Sequence, residues 1–197
     1  MTEAEWLVTT DPNPMLKFLK NRVRASDRKL RLYAVSLCRL MWPDFPNDRC
    51  RQAVIAAELF ADSRIDESDL SLAREGALDT YDLIIELDFE GVARARVAAE
   101  TAAFPVIVPE LRGSTSYLRD LFGNPFRPTA FDHTWGTSTV LALAQGIYDD
   151  SAFDCMPILA DALQDAGCEQ EDMLSHCRSD GPHVKGCWVI DFLLKQW

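Results

Sequence analysis

The segment SHCRSDGPHVKGCW, residues 175–188, places His176, Cys177, His183 and Cys187 close together, and Cys168 lies shortly before it. The intervals Cys168-x8-Cys177-x5-His183-x3-Cys187 match those of small zinc fingers with three cysteines and one histidine, apart from the order of the last two ligand types. Thiolate and imidazole ligation of Zn2+ by these four residues is therefore one chemistry open to the segment. It has no CxxC knuckle, and amphipathic stretches fill the intervals. The competing reading is buried cysteines beside a histidine that hydrogen-bonds a turn. A third reading is a catalytic thiol: Cys187 at a helix start, where the dipole lowers a thiol pKa, with His183 or His176 as base. Only three histidines occur (133, 176 and 183), and no neighbouring loop offers an oxyanion hole.

Other clusters are less specific. Asp79, Asp82, Glu86, Asp88 and Glu90 form a run whose simplest reading is a solvated helix face, since glycosidase chemistry needs two carboxyls across a cleft. Asp82 and Glu86 lack the Glu-x-x-His partner of a carboxylate-bridged metal site. Asp132, His133 and Trp135 beside Arg127 suggest a small polar pocket or a turn with a satisfied histidine. The chain has no Gly-rich phosphate loop, HExxH or GxSxG.

The elements that must position these residues read as helical almost throughout. Asp11-Pro12-Asn13-Pro14 reads as a turn and stop before a short helix, MLKFLKNRV. Ser26 caps DRKLRLYAVSLCRLMW, on which Leu30, Tyr33, Leu37 and Leu40 share a stripe. Trp42-Pro43 ends it, and Asn47 or Asp48 caps RCRQAVIAAELFAD, whose small residues suit close helix contact. From Asp66 to Phe104 the composition predicts one long helix or two broken near Gly76 to Thr80. FPVIVPEL reads as an extended connector. FGNPFRPTAFDHTWGTS has almost no periodic signal, yet Phe122, Phe126, Phe131 and Trp135 argue that it is pinned to a core; a loop this long is commonly functional. Thr137 or Ser138 then caps a helix, Pro157 opens another that Gly167 stops, and EQEDMLSHCR and CWVIDFLLKQW flank a Gly-Pro turn.

With 197 residues, 48% hydrophobic and 26% charged, the composition is that of a folded globular protein. No apolar run reaches the roughly 18 residues that span a bilayer, and no basic, greasy leader is visible, so a soluble cytoplasmic protein with reduced thiols is expected. The net charge of −11 opposes general affinity for nucleic acid or an anionic membrane. It is unevenly spread. Eight cations and one acid between Met15 and Leu40 give +7, leaving −18 for the remainder. That basic stretch reads as a docking patch, as the solvated face of a helix, or as a surface laid against the acidic remainder of the same chain.

The blocks TEAEWLVTTDPNPMLKFL, SDRKLRLYAVSLCRLMW, LRDLFGNPFRP, AFDCMPILADALQDAGC and HVKGCWVIDFLL, in this order, resemble a family of small bacterial proteins found in many copies in some genomes. The resemblance spans nearly the whole chain. It implies a soluble, single-domain, mostly helical product, and no activity, ligand or catalytic residue. This copy departs from that pattern in being acidic and in having fewer alanines in the central helix.

The expectation is thus an all-α, single-domain bundle of about seven to nine helices with a long ordered loop at 122–137. The internal order is N-terminal helices (1–104), connector and loop (105–137) and C-terminal helices (138–197). The expected function is a non-enzymatic protein-interaction or adaptor module. Its partner-binding surface combines Phe126 and Arg127 with Arg22, Arg24, Arg28 and Arg31. The alternatives are a zinc-stabilised binding module held by Cys168, Cys177, His183 and Cys187, and a small thiol-dependent enzyme.

Overall fold

The computed structural model describes residues 1–84, 97, 115–129 and 132–195, and the chain is all-α. The described residues contain ten α-helices: α1 Glu3–Val8, α2 Pro12–Phe18, α3 Asp27–Leu40, α4 Asp48–Ala61, α5 Glu67–Ile84, α6 Thr115–Phe122, α7 Ser138–Asp150, α8 Met156–Asp165, α9 Glu171–Arg178 and α10 Trp188–Leu194. None of them is long and apolar enough to cross a membrane. Two compact units share the chain. One comprises Arg24–Gly113, and the other joins Met1–Val23 to Ser114–Trp197.

In the Arg24–Gly113 unit, α4 packs against both α3 and α5. Ser26 caps α3 and Asn47 caps α4, each side chain accepting from the third residue of its helix. The small face Ala53, Ala56, Ala57 and Ala61 of α4 is buried and allows close approach of its neighbours. Part of the basic stretch is turned inward, namely Arg28, Lys29 and Arg31, while Lys17, Lys20, Arg22, Arg24 and Arg39 are exposed. Arg31 is only 6% exposed, with its guanidinium 5.0 Å over the Phe60 ring, and Arg28 pairs with Asp62 at 3.2 Å. Helix α5 runs unbroken through Gly76 to Thr80, where sequence suggested a break. The Thr80 hydroxyl donates back to the Gly76 carbonyl at 3.1 Å and accepts from Asn47 at 2.9 Å, so α4's cap also secures α5. Glu86, Asp88, Glu90, the connector FPVIVPEL and Phe131 lie outside the described residues. Asp79 pairs with Arg49 at 3.7 Å on the exposed surface.

In the other unit, α7 to α10 enclose an apolar core that gathers Val140, Ile147, Met156, Leu159, Leu163, Met173, Val189 and Ile190. Thr137 caps α7, Pro157 sits in the first turn of α8, and Gly167 (φ +85°) ends that helical stretch in the left-handed region. Two short helices complete the unit at positions with too few turns for a periodic signal: α1, closed by a Thr2/Glu5 capping box, and α6. Helix α2 starts earlier than expected because Asp11 caps it and Pro12 occupies its first turn, where a missing N–H costs nothing. Helices this short are marginal alone below roughly 12–15 residues, so burial holds them. Trp6, Met15, Leu16 and Leu19 are all buried, the aliphatic ones each contributing about 1.5–3 kcal/mol.

The loop after α6 is pinned as its aromatics suggested. Phe126 stacks on Phe18 at 4.9 Å, and Trp135 joins the core from a 3-10 turn, His133–Trp135. Gly123 adopts φ +60° with the Trp188 ring 3.1 Å from where a Cβ would stand. Glycine is required there on both counts.

Candidate metal centre

Three elements and one turn bring four ligand-bearing side chains together. Asp120 comes from α6, His176 from the last turn of α9, His183 from the following turn, and Cys187 from the N-cap of α10. One ligand atom from each lies within 4.8 Å of every other. The site is sheltered: side-chain exposure is 2% for Asp120, 7% for His183 and 17% for His176, and Cys187 is fully buried.

The atoms converge on one point instead of forming a relay. Asp120 Oδ1 lies 2.8 Å from His183 Nδ1 and 3.2 Å from His176 Nε2, and that same Nε2 lies 3.2 Å from Cys187 Sγ. A thiol–imidazole–carboxylate triad uses opposite ring nitrogens of its histidine, one for the thiol and one for the acid. Here a single nitrogen faces both, and its one proton serves only one of them. Tetrahedral zinc with bonds of about 2.0–2.3 Å would hold such atoms about 3.3–3.6 Å apart, so to accept an ion the closest pairs must open from 2.8–3.2 Å and the widest, at up to 4.8 Å, must close.

The surrounding groups hold the ligands in place. The Val184 N–H donates to Asp120 Oδ2 at 3.0 Å, leaving Oδ1 for the centre. His183 Nε2 faces the Ser179 carbonyl at 3.4 Å, the backbone partner that fixes the tautomer of a ligating imidazole. The Val189 and Ile190 N–H groups, at the start of α10, donate to the Cys187 sulfur. Gly181 makes room for the fold-back, since a Cβ there would stand 3.0 Å from the His183 ring.

Electrostatics follow from this enclosure. Burial pushes the Asp120 carboxyl up, but hydrogen bonds from His176 and His183 together with their charge outweigh it and hold it below the ordinary range. Burial works to lower His183, while the hydrogen bond and charge of Asp120 and the Ser179 carbonyl raise it. Burial, with Asp120 and Cys177 nearby, drives the Cys187 thiol well above its usual value. A fully buried thiol held protonated is the reverse of an activated nucleophile, and a metal ion is what would deprotonate it.

The cluster keeps His183 and Cys187 of the set read from the sequence and replaces Cys168 and Cys177 with Asp120 and His176. Helix phase explains the exchange. Adjacent residues on α9 point about 100° apart, so Cys177 does not share the direction of His176; it is fully buried beside the cluster, and burial together with the Asp120 charge raises its thiol to about 12. Cys168 precedes α9 and packs its sulfur 4.0 Å from that of Met173. Asp120 was invisible to interval counting, being far upstream on a short helix. Its signal is an acid beside Leu121 on the buried side of that helix. All six cysteines are unbridged.

The other sequence candidates separate. Arg127 is exposed and pairs with Glu3 at 2.6 Å, and Phe126 is half-buried on Phe18. Arg22 and Arg24 are exposed, whereas Arg28 and Arg31 are engaged within their own unit. Asp132 accepts from the N–H and hydroxyl of Thr134, as a turn residue does. A cleft of about 240 Å3, walled by Trp6, Arg119, Asn124, Arg127 and Trp188, opens beside His176. A scan against protein-family models and searches of curated proteins and of solved structures find no match to this chain.

Proposed function

We propose that the chain is a zinc-stabilised, non-enzymatic binding module whose ion is held by Asp120, His176, His183 and Cys187. The observation that carries this reading is the convergence of four ligand atoms from separate elements within 4.8 Å in a sheltered site. A thiolate and two imidazoles favour zinc over hard cations such as Mg2+ or Ca2+. Four protein ligands leave no open position for substrate, which fits a structural ion and not a catalytic one. A thiolate ligand and six unbridged cysteines fit the reducing cytoplasm. Binding of a protein partner then falls to the exposed cations Arg22 and Arg127 and to the half-buried Phe126, all of one unit. Arg28 and Arg31, engaged internally, are withdrawn from that surface.

Elemental analysis of protein purified without chelator tests the metal reading. About one zinc per chain is expected in the native protein, and loss of that zinc in Cys187→Ser and His183→Ala. Full occupancy in both variants would contradict it. Pull-down from native lysate with the Arg22→Ala/Arg127→Ala double variant tests the partner surface, which predicts loss of whatever protein the unaltered chain retains.

A further inference from the structure

We infer that the ion acts as a latch for the amino-terminal segment: bound, it holds Met1–Val23 and α6 against the core of α7 to α10, and its loss releases them. This rests on the metal reading above.

The segment is tied to α6 and the loop that follows it. Arg119 of α6 donates twice to the Trp6 carbonyl, at 3.0 and 2.8 Å, and once to the Thr9 carbonyl at 2.7 Å, taking the free carbonyls at the end of α1. Its remaining nitrogen donates to Thr115 at 2.9 Å. The Trp6 indole N–H donates to the Gly123 carbonyl at 3.1 Å, Asn124 donates to Glu3 at 2.7 Å, and Phe18 stacks on Phe126. Released, Met1–Val23 is a six-residue helix and a seven-residue helix continued by a five-residue π-helical turn, Leu19–Val23, still at the marginal end of lengths that persist alone.

Two things tie α6 onward: packing, with the helix against α10 and Gly123 at its end against the Trp188 ring, and the metal centre. Leu118 and Leu121 of α6 are fully buried and supply the apolar part of that packing. Asp120 makes the polar connection, through the Val184 N–H and through His176 and His183, all carboxy-terminal. Arg119 and Asp120 are neighbours on one short helix and point about 100° apart, so one grips the amino-terminal segment while the other grips the centre. Without the ion that second grip is hydrogen bonds to two histidines. With it, α6 is joined by coordination to α9, the 179–186 turn and α10. Metal loss then frees Trp6, Met15, Leu16 and Leu19, otherwise buried, as an apolar face that metal content governs.

Hydrogen exchange of the full chain, zinc-loaded and chelator-stripped, with zinc measured on the same samples, tests the latch. Stripping is expected to accelerate exchange in residues 3–19 and 116–122 by about tenfold or more, and in 138–165 by less than about threefold. Arg119→Ala at full zinc occupancy is expected to accelerate 3–19 alike while leaving 176–190 slow. One zinc per chain with unchanged exchange in 3–19 on stripping, or acceleration in 138–165 as large as in 3–19, overturns the latch alone. Failure to hold zinc after loading overturns the metal reading and the latch with it.

Discussion

Asp120 carries more of the account than any other side chain. One of its oxygens accepts the Val184 N–H, and the other faces two histidines, so Asp120→Asn removes charge without changing shape. That substitution is expected to weaken zinc binding by more than about 100-fold, since even outer partners of a metal site cost about 10–100-fold. Titration against a competing chelator measures it. Cys168→Ala is the complementary control. Its sulfur packs against Met173 away from the centre, so zinc affinity should stay the same while stability falls by about 1 kcal/mol. A Cys168→Ala protein that loses its zinc would restore the ligand set read from the sequence.

At the scale of elements, the turn between α6 and its loop resists a side chain. Gly123→Ala must adopt φ +60° with a Cβ at 3.1 Å from Trp188, and urea unfolding should show a loss of about 1–3 kcal/mol. An unchanged midpoint would mean that the loop relaxes freely. Arg31→Ala is expected to cost about 1–2 kcal/mol, because the buried side chain stacks on Phe60, whereas Arg22→Ala on the exposed surface should cost almost nothing. The long helices were legible in the sequence because apolar periodicity and caps repeat over several turns: Ser26, Asn47, Thr137 and Gly167 each act where their residue type indicated. Helices α1 and α6 were not, since six or eight residues carry barely two turns of pattern. The candidate site was half legible for the same reason. His183 and Cys187 sit in a turn whose spacing is local, while Asp120 arrives through tertiary packing from the helix that periodicity passed over.

At the scale of the whole molecule, charge is met partly within the chain and partly left on its surface. Two cations of the basic stretch meet acids of their own unit, Arg28 on Asp62 and Arg39 on Glu58, while Lys17, Lys20, Arg22 and Arg24 stand exposed. Protons follow the metal. The Cys187 thiol, held well above its usual pKa, is protonated at neutral pH in the metal-free chain and must lose its proton to bind zinc; His183, raised above its ordinary value, adds a fraction of a second. Zinc uptake near pH 7.5 should therefore release about one to two protons, and apparent affinity should rise about tenfold or more per pH unit from pH 6 to 8. Calorimetry in two buffers of different ionisation enthalpy measures the release. Binding without proton release would mean that no thiol is a ligand.

X-ray absorption at the zinc edge of the loaded protein counts the sulfur atoms around the ion and so reads its ligand set. Coordination by Asp120, His176, His183 and Cys187 predicts one sulfur at about 2.3 Å and three nitrogen or oxygen atoms at about 2.0–2.1 Å. Two or three sulfurs would place Cys168 or Cys177 on the metal, and six oxygen or nitrogen neighbours with no sulfur would mean that the four residues hold no zinc.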